Sequence, residues 1–160
     1  MDQDLTLKMN SIPWTRNYTS MDDGIYRTVE GNADEIIAIG RIVKAGFSCS
    51  RVDITNSRYD AIVESGKTGN LLRIQIKGIG GNSFNFTGGG RSGRQIDRNV
   101  AQKVRKYTNE DCDLMVGITK DKGVLYIIPI EDINKMGKSR SLSKLEYYKE
   151  NWDILLNLID

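Results

Sequence analysis

Four side chains in this sequence have the types and spacing to act together on a charged substrate: Glu35, Asp60, Gln75 and Lys77. Asp60 stands at the head of Tyr59-Asp60-Ala61-Ile62-Val63-Glu64. A Ser-Gly-Lys-Thr-Gly-Asn turn follows, then Leu71-Leu72-Arg73-Ile74-Gln75-Ile76-Lys77. Two apolar runs around a turn rich in Gly, Ser and Asn predict a β-hairpin. Side chains alternate along a strand, so Leu72, Ile74 and Ile76 share one face and Arg73, Gln75 and Lys77 the other. If Glu64 stands opposite Leu71, then Asp60 stands opposite Gln75 and diagonal to Lys77. A slip of one residue would break that grouping. Glu64, two residues further out, is expected to be solvated.

A carboxylate, an amide and an ammonium on one strand face suit metal-dependent phosphodiester hydrolysis. A hard cation such as Mg²⁺ takes one or two carboxylates, neutral oxygens and retained waters. Asp60 offers a carboxylate, Gln75 a side-chain oxygen and Ile76 its backbone carbonyl. Lys77 can orient or deprotonate the attacking water and offset phosphate charge. Glu35, from a preceding helix, can reach the ion directly or through water, with Glu30 as the fallback acid. The competing reading of Glu35 is a capping-box acid, because Asn32 lies three residues before it.

The elements that must position these groups follow from the patterning. Ile36, Ile39, Ile42 and Val43 recur at helical spacing, which predicts a helix over 30–45 stopped by Gly46. Phe47 to Ile54 reads as a short extended segment. Gly78 to Gly93 is glycine-rich, with a short strand around Phe84 and Phe86. Ile96, Val100, Val104 and Tyr107 predict an amphipathic helix over 94–107 whose wet face is basic. Asp113–Thr119 and Val124–Pro129 read as a buried strand and its hairpin partner, and Glu131–Met136 as a short helix or turn. Leu145, Tyr148, Trp152, Leu155 and Ile159 form an apolar seam on a last helix expected from Ser143. That seam either covers the sheet or meets another copy of the chain.

Composition narrows the chemistry further. The chain has 160 residues and no histidine, which removes His-activated nucleophiles and Cys/His zinc sites. Two cysteines, Cys49 and Cys112, are too few for a structural zinc site and read as buried thiols. The formal net charge is only +2, yet between Gly88 and Tyr107 six basic residues face a single acid, Asp97. Such a segment points to a polyanion partner, with Arg91, Arg94, Arg98 and Lys103 as the leading contacts. Gly66-Lys67-Thr68 is not a phosphate loop, since it sits in a hairpin turn and lacks the upstream glycine. No apolar run has membrane-span length and no signal-peptide pattern opens the chain, so a cytoplasmic location without a membrane is expected.

The order of these parts resembles the PD-(D/E)XK nuclease superfamily, from Gly31 to Leu156. The resemblance rests on Gly31-x-x-x-Glu35, Tyr59-Asp60, Gln75-Ile76-Lys77, the Asp113 strand, Tyr126-Ile127-Ile128-Pro129 and Tyr148-x-x-x-Trp152. Tyr59 stands where the motif has Pro, and Gln75 where it has an acid. The Gln-x-Lys form is similar to the branch of group I intron homing endonucleases of cyanobacterial type. The resemblance implies an α/β fold, a restriction-endonuclease-like mixed β-sheet core flanked by helices, over 29–160; residues 1–28 show no clear period and read as an N-terminal arm or a loosely structured extension. It implies a site-specific endonuclease of double-stranded DNA that uses Mg²⁺, with Mn²⁺ able to substitute, working as a homodimer or tetramer. A restriction endonuclease, a Holliday-junction resolvase and a catalytically silent DNA-binding module are the alternatives.

Overall fold

Apolar residues at helical spacing wind the first long element, and alternating apolar residues build the sheet beneath it. The computed structural model describes residues 17–54, 57–88 and 104–160. Helix α1 spans Asp23–Lys44. It starts ahead of the expected Glu30, with Asp22 at its N-terminal boundary, so Asn32 lies inside the helix and caps nothing. The Asn32 side-chain oxygen instead accepts a hydrogen bond from Arg51 on the neighbouring strand. At the other end Gly46 adopts φ +101°, a left-handed conformation that glycine takes without a Cβ penalty, and the chain turns there as expected.

Five strands form one mixed sheet in the order β1-β2-β3-β7-β8. They are β1 Ser48–Arg51, β2 Ala61–Glu64, β3 Leu71–Ile79, β7 Leu114–Thr119 and β8 Leu125–Pro129. The β2–β3 hairpin pairs Glu64 with Leu71 and Ala61 with Ile74, the register on which the grouping of Asp60 with Gln75 depends. Ser65 closes its turn by accepting the Lys67 and Thr68 N–H groups. Strands β3 and β7 run parallel, pairing Gln75 with Met115 and Lys77 with Gly117. The remaining neighbours are antiparallel.

The alternation on β3 divides the core into two. Leu72, Ile74 and Ile76 join Leu114, Val116 and Ile118 under α1 (Ala38, Ile42) and the last helix (Leu155, Ile159). On the opposite face, Ile79 and Met115 pack with Phe84, Phe86, Ile128, Ile133 and Leu145. That second face is roofed by two small ribbons. One pairs β4 (Ser83–Asn85) with β9 (Ser139–Ser141), the other β5 (Thr87–Gly88) with β6 (Arg105–Lys106). Helix α2, Ile130–Asn134, closes its edge.

Two helix expectations need correction. Arg105–Lys106 is a strand, and the Tyr107 N–H donates to the Phe86 carbonyl, so the C-terminal end of the expected 94–107 helix is extended. Pairing with β5 and burial of the Tyr107 ring outweigh helical periodicity there; residues 94–103 lie outside the described residues. The expected single helix from Ser143 is instead two short 3₁₀ turns, Leu142–Lys144 and Glu146–Tyr148, followed by helix α3, Trp152–Ile159. The break comes at Glu150, with φ +51°. Its carboxylate takes a fork from Arg41 at 2.6 and 2.8 Å and the Leu125 N–H at 2.7 Å. These bonds hold a backbone conformation that L-residues avoid. The break carries the seam from one sheet face to the other: Leu145 is buried on the second, Leu155 and Ile159 on the first.

Candidate active site

Asp60 is placed by the strand it precedes. Its N–H donates to the Ile74 carbonyl at 2.8 Å, and its Oδ2 accepts the Ile76 N–H at 2.7 Å. The same Oδ2 accepts the Gln75 amide Nε2, which also donates to the Ile76 carbonyl at 3.3 Å. The amide nitrogen therefore sits between two oxygens. Rotating the amide by half a turn would present its oxygen there instead, and the two orientations are decided by hydrogen bonding alone. Asp60, Gln75 and the Ile76 carbonyl then make an all-oxygen donor set of the kind a hard cation takes. Among the described residues no three of His, Cys, Asp and Glu come together to hold a metal. A cation here must rely on two carboxylates, an amide and a carbonyl.

The electrostatics fit such an occupant. Burial pushes the Asp60 carboxyl up to about 6; the Ile76 N–H opposes the shift and the Glu35 charge adds to it. Burial also raises the pKa of Glu35, against the pull of Arg51, whose guanidinium donates to Oε2 at 3.2 Å. Two desolvated carboxylates that repel one another gain most from a shared cation. Glu35 is thus coupled to Asp60 through charge, while its hydrogen bond goes to Arg51.

Lys77 projects from the same face. It is half-buried, its Nζ donates to the Thr87 carbonyl, and it lies 5.8 Å from the centre of the Tyr107 ring. Burial lowers its pKa and the Asp60 charge works against that. Tyr107 reaches this position because residue 88 is glycine: a Cβ there would collide with the Tyr107 hydroxyl. The β5–β6 ribbon therefore forms a roof that holds the lysine ammonium within reach of the Asp60 charge.

A cavity of about 360 Å³ opens between this roof and Asp60, lined by Ser57, Arg58, Asp60, Gln75, Gly88, Arg105 and Tyr107. The hairpin thus brings Asp60, Gln75, Ile76 and Lys77 together as its register requires. Arg91, Arg94, Arg98 and Lys103 lie outside the described residues. Arg58, Arg105 and Tyr107 were not among the expected site residues. Arg58 directly precedes Tyr59-Asp60, and Arg105 belongs to the basic segment, so adjacency and charge were the available signals. Glu30 is drawn away, paired with Lys120 at 2.6 Å. Both cysteines are free, and burial raises Cys49 to about 11 and Cys112 to about 12, which leaves them inert as nucleophiles.

No curated protein matches the sequence. The fold is similar to the solved structure of a bacterial homing endonuclease, I-Ssp6803I, with a TM-score of 0.65 and 20% identity, over 81% of this chain and 93% of that chain. A family model described as PD-(D/E)XK endonuclease matches residues 27–151. On that match, and with Asp60 just before β2 and Gln75-Ile76-Lys77 on the adjoining strand β3, the chain belongs to the PD-(D/E)XK endonucleases, nucleases that generally use divalent metal ions.

Proposed function

We propose that this chain is a Mg²⁺-dependent, site-specific endonuclease of double-stranded DNA, of homing type, with Mn²⁺ able to replace Mg²⁺. The observation that carries the reading is the convergence of Asp60, Gln75 and the Ile76 carbonyl, with Lys77 on the same strand face. Asp60, Glu35, the Gln75 oxygen and the Ile76 carbonyl would hold the ion. When bound, the ion lowers the pKa of water and offsets charge on the phosphate. Asp60 and Glu35 fix where that charge is centred. Lys77 orients the attacking water and faces the developing negative charge, and its lowered pKa eases its service as a proton acceptor. The likeness to a homing endonuclease supports the subtype through the shared fold, and the Gln-x-Lys form supports it through the sequence.

A homo-oligomer, dimer or tetramer, and a cytoplasmic location complete the reading. Ile25, Val29, Ile36 and Val43 are each 43–58% exposed and fall on one stripe of α1, which suits a second copy of the chain. No helix among the described residues is long and apolar enough to cross a membrane.

The test is incubation of the protein with genomic DNA and Mg²⁺ followed by mapping of the ends. Rare defined double-strand cuts are expected. Frequent cuts at a short palindrome would make it a restriction enzyme, and cuts confined to four-way junctions a resolvase. Gln75 in place of an acid favours a second reading, a silent DNA-binding module. Lys77→Ala separates the two: cleavage should fall by about 10²–10⁴-fold while duplex binding persists. Absence of cleavage by the unmodified protein with either ion would leave the silent module standing.

A further inference from the structure

Two arginines share the cleft with Asp60. Arg58 and Arg105 line the same cavity as Asp60 and Gln75. One carboxylate organises both. Asp111 is fully buried, and its two oxygens take the Arg105 guanidinium in a fork at 2.7 and 2.8 Å. Arg58 Nη1 lies 3.8 Å from Asp111 Oδ1. The Thr108 N–H and hydroxyl donate to the other oxygen at 3.0 and 3.3 Å. The loop that carries Asp111 is tied in turn to β3: Arg73 donates to the carbonyls of Asn109 and Glu110, at 2.8 and 3.2 Å, and to Asp113. The strand that supplies Gln75 and Lys77 thereby also anchors the loop whose Asp111 holds the two arginines.

The fork to Asp111 anchors β6 and fixes the direction of the Arg105 guanidinium. Arg58 makes an ion pair with Asp111 but no hydrogen bond to it, so anchoring does not account for its place. The side chains of Arg58 and Arg105 stay 59% and 56% exposed, and both line the cleft. Among the described residues these two guanidiniums share Asp111 as their one buried carboxylate. The other acid near Arg58, Glu110, stands 4.0 Å away and is 86% exposed, where water screens it.

We propose that Arg58 and Arg105 form a phosphate subsite for the nucleic-acid strand entering the cleft, taking the phosphodiester next to the one held at Asp60. A planar guanidinium matches two non-bridging phosphate oxygens, and a buried carboxylate behind it fixes its direction before the ligand arrives. The subsite rests on the endonuclease reading above. It names the chemistry recognised beside the cut rather than the cut itself.

The experiment measures binding of a short fluorescein-labelled duplex of random sequence in Ca²⁺, across a range of salt, for the unmodified protein, Arg58→Gln and Arg105→Lys. Lys67→Gln serves as a distant control; Lys67 is paired with Asp160 at the far end of the hairpin. Arg58→Gln should weaken binding about 5–10-fold at low salt and reduce the slope of log K against log salt by about one phosphate. Arg105→Lys should keep the slope and lose affinity, since the charge stays and the fork goes. Lys67→Gln should change neither. With Mg²⁺ and a cleavable substrate, Arg58→Gln should raise KM and leave kcat within a few-fold, unlike Lys77→Ala. An unchanged salt slope in Arg58→Gln, with thermal melting confirming its fold, would overturn the subsite. Reduced slope without cleavage by any form would keep the subsite and reject the nuclease. No duplex binding by the unmodified protein would reject both.

Discussion

At the scale of single residues, Gln75 is where this chain departs from the acid-x-Lys pattern. Its amide bridges the Asp60 carboxylate and the Ile76 carbonyl, so in the absence of a cation an N–H stands where positive charge is wanted. Gln75→Glu adds a second carboxylate beside one already raised to about 6. Without metal the variant should melt lower than the unmodified protein, by about 1–3 kcal/mol in stability, because two buried carboxylates then share one site. With Mg²⁺ the order should reverse at saturation, as the added ligand tightens binding of the folded state. Differential scanning fluorimetry against Mg²⁺ concentration reads both. A smaller metal-induced shift in Gln75→Glu than in the unmodified protein would show that residue 75 does not face the ion.

At the scale of elements, the contact between α1 and β3 decides whether Glu35 reaches the cluster. Asp34, the residue before it, is only 6% exposed, and its Oδ2 has no hydrogen-bond partner among the described residues. That oxygen lies against Gly78, where any Cβ would collide with it and would come within 2.8 Å of Lys120 Cε. Glycine directly after Lys77 lets the helix approach this closely. Burial raises the Asp34 carboxyl to about 6, against the pull of Lys120. The folded state therefore holds this proton more tightly than the unfolded chain does. The stability it contributes is complete below about pH 4 and is lost as pH rises through 6. Asp34→Asn has no such titration. The stability of the unmodified protein relative to this variant should fall by up to about 3 kcal/mol from pH 4 to pH 7. Denaturant melts at the two pH values measure it, and a difference independent of pH would show that residue 34 keeps its ordinary pKa in the fold.

For the whole molecule, the exposed stripe on α1 and the arginine-lined cleft face different tasks. The stripe runs the length of the helix, and a second copy would remove Ile25, Val29, Ile36 and Val43 from water. Ile36→Glu should therefore shift the mass found by sedimentation toward the monomer while leaving the melting of the monomer within about 0.5 kcal/mol, since the side chain is already exposed. An oligomer unaffected by this change would put the interface elsewhere.

The sequence by itself determined the β2–β3 hairpin and the two-sided alternation of β3, because period-two patterning and turn chemistry are local properties; its register, conditional on Glu64 facing Leu71, was decided by the strand pairing of the fold. That patterning was enough to put Gln75 and Lys77 on one face of β3, with the Ile76 carbonyl between them, and to forecast the buried β7–β8 pair and the Gly46 stop. Tertiary structure decided what local patterning cannot carry. Val104–Tyr107 kept a helical apolar spacing yet became strand and roof, because β5 offered backbone partners and Gly88 left room for the Tyr107 ring. The final seam kept its apolar spacing yet broke at Glu150, because Arg41 and Leu125 supply bonds that hold a left-handed turn there. Arg58 and Arg105, 47 positions apart in the chain, came to one cleft only through Asp111, a buried acid whose partners are set by three-dimensional proximity and by the cost of leaving a buried charge unpaired.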